Sequence, residues 1–460
     1  MTRKKAYHLV LMSVVMGWLL GCRSTQPIPI YRQEAGGPAF ALEAIPVLRE
    51  GRPGIALYVG LRPRTLIFTH ADTAYRAVFE ILVRFWGTDG RLHHEQAYDD
   101  TLWVRTFAAT QTYNLSVWHR FIPYRSGLYR LEVRVTDRNT KRYTIQRRAV
   151  QLPEAVQATL SPVWFERRTA AGRYEVWPEW HFPAGQDSLR AAVELYSPAP
   201  VHQIQVQMVL LRFPTDTSAA RPPYDLMPAP GALGYLGVWY DRPETLQVTH
   251  REIVEPAAAV HLTFQLPPLV ERGVYRVEVN VYSENQKRPA LSRRELVVHG
   301  PTFPHVQRLS DLIAALTYLT DPNEQRALET APTPAERRAR FDAFWGRLIG
   351  DRRKAARVLR LYYERVEQAN LQFTAFKEGW RTDRGMIYIL LGPPLAVENH
   401  PDEQVWYYTY SDQDPRYRFV FERVYSSAAT SVAQFVLRRQ PYYYEIWQRL
   451  RERWRRGQVL

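Results

Sequence analysis

The chain has 460 residues, of which 46% are hydrophobic and 13% aromatic, so it is not a disordered protein and its length suggests about three domains. The formal net charge is +15, and only six of the 61 basic residues are lysines. No nucleic-acid recognition motif accompanies this charge, so nucleic acid is not an expected partner; arginines instead favour acidic proteins or anionic envelope polymers, unless the excess only reflects a genome that favours arginine codons.

Residues 1–22 have the pattern of a lipoprotein signal peptide. Arg3, Lys4 and Lys5 precede a short apolar run, which ends in Leu-Leu-Gly before Cys22, the only cysteine of the chain. We expect lipidation at Cys22 and anchoring in the cell envelope, in the outer membrane facing the periplasm; an uncleaved anchor with a chance cysteine is the alternative. The proline- and glycine-containing residues 23–38 then form a tether.

Residues 39–152 alternate apolar and polar side chains in short runs between turns, which predicts a first β-sandwich. Its clearest strand runs from Gly127 to Val135. Nine of eighteen positions between residues 125 and 142 are identical to those between 271 and 288, so the strand recurs from Gly273 to Val281. This repeat predicts a second sandwich over residues 156–300, and both are expected to be Ig-like or fibronectin-like.

The second sandwich contains a proline- and glycine-rich insertion between Pro214 and Gly237. Tyr235, Trp239 and Tyr240 lie in or just after it and are candidate ligand contacts, since loops at the end of a sandwich often bind ligands. The alternative is a loop without a binding role.

From residue 305 to 440 the pattern predicts an α+β domain. Residues 310–319 form a short helix, Thr333 and Pro334 begin a second, and a heptad-like seam from Ala355 to Phe376 predicts a long third helix. Residues 386–391 are expected to form a buried strand, and 405–410, 418–423 and 433–437 three more. Residues 441–460 predict a basic amphipathic helix that docks on the protein or meets an anionic lipid or acidic partner.

Between the long helix and the predicted strand lies a dense motif. Gly379 is expected to close the helix in the left-handed conformation, Gly385 can tolerate positive φ, and Thr382 and Asp383 are expected to bond nearby backbone N–H groups. The motif comprises Gly379, Trp380, Thr382, Asp383, Arg384, Gly385, Tyr388, Gly392, Pro393 and Pro394.

These residues resemble the family of bacterial envelope proteins named after the GWxTD motif. The resemblance extends over roughly the last third of the chain, and it departs from the family pattern at Leu395, where an acidic residue is usual. It implies an exported, often lipid-anchored protein, and no activity is established for the family.

Two hypotheses follow for Asp383. In the first, the motif is structural: Asp383 bonds the backbone amides of its turn, Arg384 pairs with a carboxylate such as Glu378, and Trp380 fills the gap between helix and strand. In the second, Asp383 belongs to a site, although flanking arginines make a carboxylate a poor general base.

No catalytic motif or cofactor fingerprint occurs, and we predict neither catalytic residues nor a metal or cofactor. His93 and His94 are adjacent on a predicted strand and therefore point to opposite faces, which favours surface histidines over a metal site. The sequence thus predicts a lipid-anchored, non-catalytic binding or scaffold protein for other envelope components. An enzyme acting on an envelope polymer and a glycan-binding protein are the alternatives.

Overall fold

A computed structural model describes residues 31–33, 37–112, 114–154, 159–169, 171–185, 188–196, 203–227, 237–254, 259–283, 289–400, 402–409, 414–424 and 434–459. The predicted signal peptide, Cys22 and most of the predicted tether lie outside these residues. Within them the protein is mainly β, with several antiparallel sheets, and apart from the one-turn helix α1 (Phe107–Thr110) its α-helices lie in the C-terminal part. No helix of the described part is both long enough and apolar enough to cross a bilayer.

The N-terminal unit consists of two antiparallel sheets around one core. One sheet contains β2 (Phe40–Arg49), β3 (Arg52–Leu61) and β7 (Ser116–Pro123), and the other contains β4 (Thr69–Ala71), β5 (Ala74–Trp86), β6 (Leu92–Val104), β8 (Gly127–Asp137) and β9 (Tyr143–Leu152). Leu57 from the first sheet and Val133 from the second are both fully buried in this core. Alternate residues of each strand face inward, which is why the period-two pattern predicted these strands.

The second unit is built in the same way. One sheet contains β10 (Thr159–Leu160), β11 (Trp164–Arg168), β12 (Tyr174–Val176), β14 (Leu189–Tyr196) and β17 (Ala259–Gln265), and the other contains β13 (His181–Pro183), β15 (Gln203–Phe213), β16 (Glu244–Val254), β18 (Gly273–Ser283) and β19 (Ala290–His299). All neighbours are antiparallel except β13 and β19. Val193 and Val277, one from each sheet, share the core.

The sequence repeat corresponds to β8 and β18, which occupy equivalent places. Each lies between two antiparallel neighbours, β5 and β9 for the first and β15 and β19 for the second. Both strands begin at a glycine with a φ of 141°, Gly127 and Gly273, a conformation that side-chain-bearing residues rarely adopt. The last five positions of the later repeat, residues 284–288, lie outside the described residues.

The C-terminal unit combines helices with an antiparallel sheet. The helices are α2 (Leu309–Ala315), α3 (Pro322–Glu329), α4 (Pro334–Ile349), α5 (Arg352–Phe373), α6 (Asp383–Leu391) and α7 (Tyr443–Arg455). This unit also has 3-10 turns at Leu316–Tyr318, Gly379–Arg381 and Pro415–Tyr417, and the first unit has one at Pro63–Thr65. The sheet order is β1 (Tyr31–Gln33), β20 (Ala396–Asn399), β21 (Glu403–Tyr407), β22 (Arg418–Val424) and β23 (Gln434–Leu437). Because β1 pairs with β20, residues 31–33 are an edge strand and not part of a free tether.

The helix signals in the sequence act as expected. Thr333 caps α4 by accepting a hydrogen bond from the backbone N–H of Glu336 at 3.1 Å, and Pro334 occupies the first turn. On α5 the predicted seam is buried, including Tyr362 and Val366, neither of which is exposed. A full capping box at Asp321 and Glu324, which the sequence analysis did not identify, begins α3.

The C-terminal helix α7 is part of the same core. Its apolar residues Ile446, Trp447, Leu450 and Trp454 are all buried among residues of the C-terminal unit. The indole N–H of Trp454 donates to the carbonyl of Leu390 at 3.0 Å. The predicted docking of this face on the protein is therefore confirmed, and the apolar face is not available to a lipid surface.

Candidate functional site: the motif and its junction

The run from residue 386 to 391, predicted to be a strand, is the helix α6. Its apolar side chains are buried all round, including Met386 and Ile389 with none of their surface exposed. A short apolar run buried on every side has no periodicity that separates a strand from a helix. Thr382 decides the outcome, because its hydroxyl accepts from the N–H of Gly385 at 3.1 Å and so caps a helix.

Gly379 and Gly385 are positions of close packing. Neither has a positive φ, so the left-handed conformation expected for Gly379 is wrong. α5 ends at Phe373, and Gly379 instead begins a 3-10 turn. A Cβ on Gly379 would lie 1.9 Å from the carbonyl oxygen of Ala369, and one on Gly385 would lie 1.9 Å from that of Gly379. Neither position has room for a side chain, and this contact brings α5, the turn and α6 together.

Trp380 fills a gap in the core, as predicted, although its neighbours are helices. It is buried, its backbone N–H donates to Asn370 Oδ1 at 3.1 Å, and its carbonyl accepts from the hydroxyl of Tyr318 at 2.7 Å. The Arg381 guanidinium lies over the indole ring, 4.2 Å from its centroid. The tryptophan therefore ties α5 to the 3-10 turn that follows α2.

Asp383 bonds distant residues, not its own turn. Its Oδ2 accepts from the backbone N–H of Leu437 at 2.8 Å, and its two oxygens accept from Arg439 at 2.7 and 3.2 Å. The two side chains are only 10% and 12% exposed. These partners lie at and just beyond the end of β23, so Asp383 joins α6 to the sheet.

Arg384 does not pair with Glu378. Its guanidinium carbon lies 4.3 Å from the ring centroid of Phe435 and 5.3 Å from that of Phe373. It forms no hydrogen bond or ion pair with any residue that the structure describes. Burial lowers the pKa of Arg384 to about 10, so the side chain remains cationic at neutral pH.

Glu378 instead connects the motif to the second unit. One of its oxygens accepts from the N–H of Gly300 at 3.0 Å and pairs with Arg272 at 3.2 Å, and the other pairs with Arg381 at 2.5 Å. Arg272 precedes β18 and Gly300 follows β19. The buried carboxylate of Glu378 therefore fixes the last hairpin of the second unit against the motif.

The insertion after β15 packs on the same motif. The carbonyl of Thr217 accepts from Arg381 at 2.7 Å, that of Ser218 from Lys377 at 2.9 Å, and that of Arg221 from Arg439 at 3.2 Å. This loop was predicted to bind a ligand at the end of a sandwich. Residues 217–222 of this loop therefore pack against the protein's own C-terminal unit, whereas Leu226 and Met227 are exposed.

The three aromatic candidates of this loop are not a coplanar platform. Tyr235 lies outside the described residues. Tyr240 packs on Phe213, and its hydroxyl donates to Glu295 at 3.2 Å, so burial raises the pKa of Tyr240 above its ordinary value. Trp239 is 38% exposed and lines a cavity described below.

The end of the motif closes α6. Gly392 has a φ of 85°, and its N–H donates to the carbonyl of Tyr388 at 2.7 Å, so the turn predicted at Gly392, Pro393 and Pro394 is present. The hydroxyl of Tyr388 bonds Gln368 on α5 at 2.7 Å. Leu395 is 50% exposed.

Of the two histidines in β6, His93 is exposed and His94 is half-buried. His93 contacts Asp89 at 3.2 Å, and His94 packs against Phe85 and Tyr124. Among the described residues no group of three or more histidine, cysteine, aspartate or glutamate side chains is arranged to hold a metal ion.

Comparison with known proteins assigns the part of the chain that contains this motif. Residues 280–456 match the family model of the GWxTD domain. This part of the protein, which includes β19 and the C-terminal unit, is similar to a GWxTD domain. No curated protein matches the chain. Among solved structures, the C-terminal domain of the Streptococcus pyogenes antigen I/II-family protein AspA aligns at 9% identity over 57% of this chain and 99% of that chain, with a TM-score of 0.17, which supports no conclusion about fold or function.

Two cavities adjoin the GWxTD motif. The smaller, the motif cavity, has a volume of about 320 Å³ and is lined by Thr382, Asp383, Arg384, Arg439, Lys377 and Trp239 among others. The larger, the junction cavity, has a volume of about 840 Å³ and is lined by all three units. Arg384 and Phe373 line both.

The junction cavity brings together parts of the chain that no sequence pattern connects. Its walls include Phe40 and Arg148 from the first unit, Trp180 from the second, and Arg384 and Trp406 from the GWxTD domain. These residues were not candidates in the sequence analysis, apart from Arg384.

A sequence signal for Arg148 existed. On β9 it shares the strand parity of Val150 and Leu152, both of which are buried in the core. A charged residue in a core-facing register is unusual and marks a place where the core is interrupted. Arg439 had no comparable signal, because the residue that it binds is 56 positions away.

Proposed function

We propose that this protein is a non-catalytic binding and scaffold protein of the cell envelope, anchored by a lipid at Cys22 in the outer membrane and facing the periplasm. The observation that carries the proposal is the pairing of Asp383 with Arg439. A carboxylate that accepts three hydrogen bonds within the fold is not free to exchange protons with a substrate. The motif therefore stabilises the fold, and a protein with such a motif is better suited to binding than to catalysis.

The fixed arrangement of the three units supports a scaffold role. Arg294 of the second unit forms a buried ion pair with Glu43 of the first, with its Nη1 at 2.8 Å. Glu378 and Arg272 join the second unit to the GWxTD domain. Units held by buried polar contacts present surfaces and cavities in a constant geometry, which is what a binding protein requires.

Within the proposal, the first two units are Ig-like sandwiches of the kind that is common in cell-surface proteins. In both, the tyrosine two residues after the repeat glycine bonds a backbone carbonyl upstream: Tyr129 that of Ser126 at 3.4 Å, and Tyr275 that of Glu271 at 2.8 Å. This resembles the tyrosine corner of Ig-like domains.

The partners that we propose are other envelope proteins or anionic envelope polymers, because the arginine-rich composition suits carboxylate and phosphate groups. Catalysis on such a polymer would need a reactive group, and Asp383 is already bound. Glycan binding through the loop after β15 would need exposed stacking rings, and Tyr240 is bonded to Glu295.

Chemical crosslinking in intact producing cells tests the proposal. We expect the wild-type protein to fractionate with the outer membrane and to crosslink repeatedly to the same envelope component, identified by mass spectrometry. A Cys22→Ser variant should lose the membrane fraction. Crosslinks no more frequent than those of an unrelated lipoprotein, or fragments released from isolated envelopes by the wild type but not by Asp383→Asn, would overturn it.

A further inference from the structure

The junction cavity has the size of a small-molecule site. Its volume of about 840 Å³ lies within the range of roughly 300–1,000 Å³ that is usual for ligand pockets. It lies where all three units meet, and pockets between domains are frequent binding sites. The first two units therefore contribute to a site that the GWxTD domain alone would not form.

The cavity is strongly cationic. Five arginines line it, Arg62, Arg64, Arg142, Arg148 and Arg384, against a single carboxylate, Glu179. Glu179 is already in a buried ion pair with Arg62. An anion that entered the cavity would therefore meet an excess of positive charge.

Two of these arginines are without a partner among the described residues. Other largely buried arginines of the described part, such as Arg276 with Glu295 and Arg439 with Asp383, are paired with carboxylates. Arg148 and Arg384 form no hydrogen bond or ion pair with a described residue. Glu43 attracts Arg148 electrostatically, but the Glu43 carboxylate is already paired with Arg294. Burying a cation without a partner is costly in free energy. Two such arginines at one cavity therefore favour the binding of an anion there.

The walls of the cavity hold Arg384 in place and offer apolar contact. The guanidinium of Arg384 lies over Phe435 and Phe373, which restricts its position before any ligand binds. Trp180 also lines the cavity and is half-buried, so it presents aromatic surface there, whereas Trp406 is almost fully buried in the wall. Cationic and aromatic groups in one pocket select molecules that carry both an acid group and an apolar body.

We propose that the junction cavity binds a small organic anion, whose carboxylate or phosphate group pairs with Arg384 and Arg148 and whose apolar body lies against Trp180. This inference deepens the proposed binding function and rests on it. Arginine recognises both acid groups by paired hydrogen bonds, so the experiment distinguishes them.

Isothermal titration calorimetry of the purified full-length protein tests the site. The probes are phenyl phosphate, phenylacetate, inorganic phosphate and the neutral 2-phenylethanol. We expect saturable binding of phenyl phosphate or phenylacetate, which identifies the preferred acid group, weaker binding of inorganic phosphate, and none of the alcohol.

Three variants assign the binding to the cavity. Arg384→Gln and Arg148→Gln should each weaken binding of the preferred probe about tenfold or more, whereas Arg449→Gln, at an exposed position on α7, should not change it. Circular dichroism and thermal unfolding check that each variant folds. Because Arg148 and Arg384 lie in different units, Arg148→Gln carries the test if Arg384→Gln does not fold.

The inference is overturned if no anionic probe binds, if the alcohol binds as well as the anions, or if both glutamine variants bind like the wild type. If anion binding fails in one of these ways but the envelope crosslinks are retained, the anion site is refuted and the scaffold function stands. If the protein binds the anionic probes but forms no specific crosslinks, the scaffold function is refuted and the anion site stands.

Discussion

The guanidinium of Arg439 donates to both oxygens of Asp383, at 2.7 and 3.2 Å, across 56 positions of sequence. The same arginine bonds the carbonyls of Arg221 and Pro222 in the loop of the second unit. One side chain thereby joins α6, the end of β23 and the loop after β15. The aspartate of the GWxTD motif is a component of this joint.

Loss of the Asp383 carboxylate should destabilise the protein. Because both partners are almost fully buried, Asp383→Ala leaves Arg439 without its counter-charge and should lower the free energy of unfolding by about 3–5 kcal/mol. Urea denaturation measures the change. The exposed pair of Arg338 and Asp342 on α4 is the matched control, and Asp342→Ala should cost less than about 0.5 kcal/mol. An unchanged midpoint for Asp383→Ala would contradict the structural role.

Gly379 should not tolerate even a methyl group. Its Cβ would lie 1.9 Å from a backbone oxygen of α5, which cannot move without separating the helices. Gly379→Ala should therefore cost about 1–3 kcal/mol or prevent folding. Gly346 on α4 has open space at its Cβ, and Gly346→Ala should stabilise the protein by about 0.5–1 kcal/mol. Equal effects of the two substitutions in thermal unfolding would show that close packing at Gly379 is not important.

Two buried histidines should make the protein acid-sensitive. Burial lowers the pKa of His299 from 6.5 to about 3 and that of His181 well below its ordinary value. Below pH 6.5 the unfolded chain binds protons at these sites and the folded protein does not, so stability is lost as pH falls. For His299 this loss is about 1.5 kcal/mol between pH 6.5 and 5. Urea unfolding across this window measures the slope.

A substitution assigns that slope. His299→Gln should flatten it by about half, and His250→Gln, at an exposed position on β16, should leave it unchanged. Carboxylates titrate mainly below about pH 4.5, so they contribute little in this window. A slope that is the same in the wild type and in His299→Gln would contradict the assignment.

The helix α7 should contribute to the stability of the GWxTD domain. Trp454 is fully buried, its ring packs on Tyr362 at 5.2 Å, and Trp454→Ala should cost about 3–5 kcal/mol in thermal or urea unfolding. Arg449→Ala on the exposed face should change stability by less than about 0.5 kcal/mol. A Trp454→Ala protein with unaltered stability that binds anionic vesicles would indicate a membrane helix instead.

The sequence alone determined the elements whose patterns are local. Strands such as β8 and β18 followed from alternation, which depends only on which face of a strand is buried. Thr333 and Pro334 located a helix start because a cap acts within one turn, and the seam on α5 predicted a buried face. The GWxTD motif predicted the family whose model matches residues 280–456, because its residues are close together in the sequence.

Tertiary structure alone decided what the motif does. The run from residue 386 to 391 is equally compatible with strand and helix until its surroundings bury it on every side. Asp383 and Arg439 meet only because β23 returns to α6, and Arg148 and Arg384 share a cavity only because three units pack together. Pairings between distant charges depend on how units pack, and no local spacing encodes that.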